Sequence, residues 1–335
     1  MNQYLQWLTT QTKTAWWHDS ANTEELDRAL AHGATGVTTN PVLVAEALRG
    51  CGRQWSAELQ EIFARKLPAE ARALHLTGLV AGRAAARLPG YVCAQVNPGC
   101  VGDRSAMRAM ADWLHGMAPN IAVKLPATQA GLEVAEDCIA AGMTITLTVS
   151  FTVAQVLAIA EAHRRGCVKA RQAGRTPGRC FAVIMIGRID DYLRDVAGDA
   201  SSPVTEADIR QAGLAVVKRA VSLYRERGYE AVLCVAALRG TYHLTELAGA
   251  DLIMSIHPKV QQMIQAASLP PATGIERAVP ADVLERLAML KDFRRAYAAD
   301  GLTPDEFLTY GATQRTLAQF IETGWKQIES FQLPP

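Results

Sequence analysis

Short apolar runs alternate with longer segments of helical period along most of this chain. The first run, Thr14-Ala15-Trp16-Trp17-His18-Asp19, is aromatic and ends on a carboxylate; the second, residues 35–40, is stopped by Pro41. Residues 91–96, 120–126, 143–149, 181–187, 231–237 and 251–256 carry the same strand-like signal. Between them the period predicts helices over about 22–32, 42–88 with breaks at 50–53 and Pro68, 105–117, 129–141, 151–162 and 242–248, after a leading helix over 2–12. Thr205 followed by Asp208 resembles a capping box for a helix running to about Arg227. In the fifth run Thr144, Thr146 and Thr148 share one face and Ile145, Leu147 and Val149 the other. Threonines inward and aliphatics outward suit a barrel whose outer face is covered by helices.

Eight strands with crossovers long enough for parallel pairing point to an α/β fold, a (β/α)8 TIM barrel. The competing doubly wound sheet usually carries a glycine-rich turn after its first strand, and here that turn reads Ser20-Ala21-Asn22-Thr23. No linker, internal repeat or low-complexity stretch divides the chain, so one domain over 1–335 is expected, with a C-terminal helical extension at about 281–332. Thr303, Pro304 and Glu306 have the order of a helix start. The segment 164–179, with Arg164, Arg165, Lys169, Arg171, Arg175 and Arg179, reads as a solvated loop at the amino end of the barrel, away from chemistry.

Composition narrows the partners. The chain is 49% hydrophobic with a net charge of +1, enough for a large core and without the basic excess that nucleic acid or an anionic membrane would select. No apolar run is long enough to cross a bilayer, and the start lacks a basic region followed by an apolar core, so a cytoplasmic location is expected. Seven scattered cysteines without C-x-x-C spacing argue for reduced thiols and against a zinc site. Seven scattered histidines show no ligand spacing, so no metal is expected.

The candidate chemistry lies at the strand ends, where such barrels place their active sites. Asp19, Asn40, Gln95, Lys124, Thr148, Arg188 and Arg239 deliver polar groups from seven successive strands. Lys124 is the only lysine inside an apolar run, Ile121-Ala122-Val123-Lys124-Leu125-Pro126. A dry environment disfavours an ammonium ion, and a free amine attacks carbonyls to form a Schiff base; the plainer reading is a strand-end lysine snorkelling to water. Asp19 is the carboxylate available to shuttle a proton, or else the cap of the next helix. Arg188 and Arg239 could grip one phosphate, or else pair with Asp190, Asp191 or Glu246. His18 and His75 read as packed side chains.

These residues resemble the transaldolase family, in its transaldolase/fructose-6-phosphate aldolase group. Gly36-Val37-Thr38-Thr39-Asn40-Pro41 is similar to that family's GVTTNP strand, and Val123-Lys124-Leu125-Pro126-Ala127-Thr128 with Gly131-Leu132 is similar to its lysine strand. Gly187-Arg188-Ile189-Asp190-Asp191 and the stretch from Glu246 to Asp251 match two further signatures. The resemblance implies a class I mechanism without a metal or other cofactor. Lys124 would form a Schiff base with the C2 carbonyl of a ketose phosphate, and Asp19 would take the C4 hydroxyl proton as the C3–C4 bond breaks. A dihydroxyacetone unit would then pass to an aldose acceptor. Asn40 would hold donor hydroxyls, Thr148 would place a water, and Arg188 and Arg239 would bind phosphate. The implied partners are a sugar or sugar phosphate, in carbohydrate metabolism such as the pentose phosphate pathway, with a homo-oligomer left open. The alternatives are an aldolase of the fructose-6-phosphate aldolase type and a non-catalytic sugar-phosphate-binding barrel.

Several family positions differ. Gln95 stands where transaldolases carry a glutamate, and fructose-6-phosphate aldolases share this glutamine in a similar Ala94-Gln95-Val96 context. Met185 replaces a tyrosine of those aldolases, Val183 and Ala237 replace serines, and Thr146, expected to contact substrate, replaces an asparagine. These losses imply a ligand that is weakly bound or more apolar on that side.

Overall fold

A computed structural model describes residues 3–333 of the chain. Seven parallel strands form its sheet: β1 (Ala15–His18), β2 (Val92–Gln95), β3 (Ile121–Pro126), β4 (Ile145–Thr148), β5 (Cys180–Met185), β6 (Val232–Ala236) and β7 (Ile253–Ile256). Their order is β1-β7-β6-β5-β4-β3-β2. Every residue of β2, β3, β4, β5 and β7 is buried, as expected for parallel strands covered on both faces.

The second expected strand, residues 35–40, is reduced to one bridging residue. Val37 bridges His18 of β1 on one side and Val92 of β2 on the other. Four backbone bonds of 2.8–2.9 Å hold it: His18 N to Gly36 O, Thr38 N to His18 O, Val37 N to Tyr91 O, and Cys93 N to Val37 O. The ring between β1 and β2 is thereby closed, and the fold is a TIM-barrel-like α/β barrel. The strand is short because Asn40 already caps the next helix, Pro41–Cys51, by accepting from the amides of Val42 and Leu43.

The barrel interior is filled in layers. At the amino end Trp17 meets Phe181 edge-on at 4.6 Å, and Tyr91 meets Phe181 at 5.4 Å. Above them Cys93 of β2 reaches Thr146 of β4 at 3.4 Å, past the intervening β3. Lys124 of β3 lies higher, in register with Gln95 and Thr146. Glycine at position 36 is demanded by the first layer, because a Cβ there would stand 2.6 Å from the Trp17 indole. Gly131 is demanded likewise: a Cβ would collide with the carbonyl of Pro126, which ends the lysine strand.

Helices follow most expected positions. Asn22 caps Thr23–Ala31, the long helical region breaks into Pro41–Cys51, Ser56–Ala64 and Ala69–Ala85, and Thr205 with Asp208 forms a full capping box on Glu206–Arg227. The leading helix is Gln3–Gln11; its expected first residue, Asn2, lies outside the described residues.

Three expectations are corrected. The helix after β4 runs Val153–Gln172, so most of the basic segment is helical. Gly166 does not break it, because it packs on the neighbouring helix, where a Cβ would meet Glu136 O at 2.8 Å and Ile139 at 2.9 Å. Arg165 and Lys169 each pair with Glu136 at 2.6 Å, so the charges form a solvated helix face. A helix the period did not reveal, Ile186–Asp199, starts directly at the end of β5. An apolar run passing from strand to helix without a turn residue hides that boundary. At Thr303 the backbone amide and hydroxyl both bond Glu306, yet only a 3-10 turn, Phe307–Thr309, forms before the helix Gly311–Gln319. Tertiary contacts override the local signal: Phe307 is buried and Glu306 is held by Arg295 at 2.9 Å.

The C-terminal helices begin at Ala281 and return to the barrel mouth, where Gln319 and Phe320 line the cavity. After Gln319 a π-helical turn, Phe320–Trp325, seats Gly324 on Pro41 and Val42, where a Cβ would be 2.7 Å from the Pro41 ring. Arg286 ties the first of these helices to buried Asp208 at 2.7 Å.

Two outcomes follow. Gly36→Ala should cost about 2 kcal/mol through overpacking against Trp17, read as a lower urea midpoint at unchanged slope; a wild-type midpoint would refute the close packing. The hydrogen bonds from Arg286 pull the Asp208 pKa from 3.8 down to about 2. Their stabilisation is fully present above the ordinary carboxylate pKa and is lost as pH falls from about 4 to about 2. Arg286→Gln should therefore flatten the acid limb of a stability–pH series in that window, and an unchanged limb would contradict it.

Candidate active site

A cavity of about 390 Å³ opens at the carboxyl end of the barrel. Lys124, Asp19, Asn40, Thr148, Arg188 and Arg239 all line it. These six site residues come from six different strand-end regions, and the closed ring brings them to one mouth. Two expected members lie off its wall. Thr146 is fully buried, in register with Lys124 and against Cys93. Gln95 is buried beside Lys124 in the β2–β3 ladder.

Lys124 is 5% exposed, and its Nζ donates to the carbonyl of Thr39 at 3.0 Å. Among the described residues it has no ion-pair partner. Asp19 is half-buried and does not cap the following helix; Asn22 does. Its Oδ1 accepts from the Thr38 hydroxyl at 2.8 Å, and Thr38 in turn lies 2.5 Å from the Ser255 hydroxyl. Two buried polar atoms near the amine have no partner, Oε1 of Gln95 and Oγ1 of Thr148. The oxygen of Asn40 is spent on its helix cap, which leaves its amide NH₂ for another group.

The two arginines differ. Arg239 is committed to Asp191, with Nε and Nη2 at 2.9 and 2.6 Å from Oδ2, and its Nη1 donates to the carbonyl of Ala237. Arg188 sits in the first turn of Ile186–Asp199 rather than at a strand end. Among the described residues it forms no ion pair: Nη1 donates to Gln319 at 2.5 Å, and the guanidinium lies 5.2 Å from the Phe320 ring centre. Burial, and then the nearby Arg239 charge, lower its pKa to about 10, so it stays cationic at neutral pH. Glu246, the other proposed partner, is taken by Lys218 and Arg277.

Sequence reasoning missed part of the wall. Thr38 and Ser255 complete a hydroxyl chain to Asp19, and Ser255 was detectable as the one polar residue of β7. Gln319 and Phe320 arrive from a distant helix and carry no local signal. Glu46 and Lys259 also line the mouth. Four cations, Lys124, Arg188, Arg239 and Lys259, face two anions, Asp19 and Glu46, an excess of +2 in a protein of net charge +1. The cavity therefore combines an unpaired amine, a carboxylate and an anion-attracting wall.

The departures of the β5–β6 side also have a place. Met185 and Ala237 line the cavity, while Val183 is buried and accepts from Ser150 through its carbonyl. Ala237 has a left-handed backbone, φ 60°, which directs its carbonyl toward Gly187 and Arg239.

The family profile described as Transaldolase/Fructose-6-phosphate aldolase matches residues 16–308. The chain belongs to this family. A probable transaldolase of Dehalococcoides mccartyi is 29% identical over 250 residues, covering 74% of this chain and 88% of that protein. Transaldolases of Mycolicibacterium paratuberculosis and Mycobacterium tuberculosis are 28% and 29% identical over 57% of this chain. The matches span 55% of those two proteins, so the chain aligns with about half the length of the mycobacterial relatives. Membership in the transaldolase/fructose-6-phosphate aldolase family supports an enzyme of the transferase or aldolase class. The barrel of the family is the barrel observed here, and no helix among the described residues is long and apolar enough to cross a membrane.

Proposed function

We propose that the chain is a Schiff-base transaldolase that moves a dihydroxyacetone unit from a ketose phosphate to an aldose acceptor. The observation that carries this reading is the buried amine of Lys124, in no ion pair, sharing one cavity with Asp19 and with Arg188, whose guanidinium is bonded to the neutral Gln319. Lys124 adds to the C2 carbonyl and water leaves, giving an imine. Asp19 takes the C4 hydroxyl proton, the C3–C4 bond breaks, and its electron pair passes into the iminium to leave an enamine on Lys124. The aldose phosphate departs. The enamine carbon then attacks the acceptor aldehyde, Asp19 returns its proton to the new alkoxide, and water hydrolyses the imine.

The geometry supports further roles within this reading. Thr38, backed by Ser255, orients the Asp19 carboxylate. The unpartnered Oε1 of Gln95 and Oγ1 of Thr148 support a shared water that serves imine formation and release. The free NH₂ of Asn40 suits donor hydroxyls. Arg188 is the primary phosphate ligand, because its guanidinium has only a neutral partner to give up, and Arg239 is the second. Thr146 acts beneath the amine as packing rather than as a substrate contact. The reading includes a single domain and a cytoplasmic setting in carbohydrate metabolism.

Borohydride reduction in the presence of fructose 6-phosphate should attach the ketose to Lys124, identified by peptide mass mapping, and Lys124→Ala should abolish both the adduct and turnover. An adduct elsewhere, or turnover without Lys124, would sink the mechanism. Release of free dihydroxyacetone without an acceptor would instead mark simple aldol cleavage. Arg188→Met should raise KM for phosphorylated ketose at least about tenfold, the scale of a lost charge-assisted hydrogen bond; an unchanged KM would remove the phosphate assignment.

A further inference from the structure

Behind the arginine wall lies a buried pair that the reaction itself does not use. Asp190 and His243 are both fully buried, with Nε2 of the ring 3.0 Å from Oδ2 of the carboxylate. The other carboxylate oxygen accepts from the Gly213 amide at 2.8 Å. The other ring nitrogen, Nδ1, accepts from the backbone amide of Arg239 at 3.1 Å. An amide N–H can only donate, so Nδ1 carries no proton and Nε2–H donates to Asp190. The pair thus has one tautomer compatible with all three bonds.

Its placement gives it a task. Asp190 and Asp191 are consecutive residues of the helix that also carries Arg188. Asp191 grips the Arg239 guanidinium, and Asp190, through His243, grips the Arg239 backbone. Both ends of Arg239 are therefore referred to the helix of Arg188. The β6 exit needs this restraint, since Ala237 is held at φ 60° and Gly187 leaves room for the Ala237 carbonyl and the Arg239 side chain. Gly213 fits tightly too, where a Cβ would stand 2.8 Å from Asp190 Oδ1.

We propose that Asp190 and His243 are positioning residues that hold Arg239 at a fixed separation from Arg188, so that the two guanidiniums form one phosphate-sized anion site. This rests on the reading of the two arginines as phosphate ligands. His243 acts through Nδ1 on a backbone amide and touches no substrate. A buried ring bonded at both nitrogens loses little by being rigid, and a misplaced guanidinium loses the two-point grip on an anion.

The test uses the full chain, inorganic phosphate as probe and calorimetric titration as readout, which needs no turnover. His243→Asn places an amide oxygen where Nδ1 was and keeps the Arg239 bond. His243→Gln places its amide nitrogen toward Asp190 and loses the Arg239 bond. Each variant breaks one of the two links in series between the helix of Arg188 and the Arg239 backbone, so both are expected to bind phosphate about tenfold more weakly, the scale of one lost buried hydrogen bond. Wild-type phosphate affinity in either variant, with thermal midpoints showing both folded, would reduce the pair to packing and overturn the proposal. Nitrogen-15 spectra of the wild type should show His243 protonated at Nε2; protonation at Nδ1 overturns it whatever the variants do. Wild type that traps ketose but binds no phosphate removes this inference and leaves the Schiff-base reading standing. Wild type that shows the phosphate pattern but traps no ketose does the reverse.

Discussion

Closure of the barrel through a single residue is the constraint on which the rest depends. Val37 bonds to strands on both sides, and each of its neighbours then has a fixed task. Gly36 yields space to Trp17, Thr38 bonds Asp19, and Thr39 turns its carbonyl to Lys124 and its hydroxyl to the Cys93 carbonyl. Asn40 ends the strand by capping a helix, and Pro41 with Val42 forms the seat for Gly324 of the C-terminal turn. The segment 36–42 therefore joins the ring, orients the carboxylate, holds the amine and docks the segment that carries Gln319 and Phe320.

Charge is distributed according to the two ends of the barrel. At the carboxyl end cations outnumber anions around a cavity, and the most deeply placed guanidinium is left to a neutral amide and an aromatic face. Along Val153–Gln172 a denser run of basic residues is cancelled pair by pair, Arg164 by Glu161, Arg165 by Glu136, Lys169 by Asp137 and Arg171 by Glu230. A count of charges ranks the second region above the first. Pairing reverses that order, because an anion gains most from a cation that has least to give up. Asp191 beside Arg239 shows the intermediate case, where a partner fixes the geometry and also competes with the ligand.

The alternation of apolar runs with helical period determined the parallel barrel, since eight such runs with long crossovers admit few topologies. Strand-end logic likewise brought Lys124, Asp19, Asn40, Thr148 and Arg239 to one cavity, because a closed ring of parallel strands must bring their carboxyl ends together; Arg188 reaches it from the first turn of the helix Ile186–Asp199. Local signals worked where one hydrogen bond decides them, as at the Asn22 cap and the Thr205–Asp208 box. They failed where tertiary contact outweighs them: Gly166 lies inside a helix because two helices meet there, and the Thr303–Glu306 bonds form without starting a helix because Phe307 is drawn into the core. Which arginine is free, which hydroxyls reach Asp19, and that Gln319 and Phe320 form part of the wall were decided only in three dimensions. Those facts depend on contacts between residues far apart in the chain, 217 positions in the case of Thr38 and Ser255, and no local pattern encodes a separation of that kind.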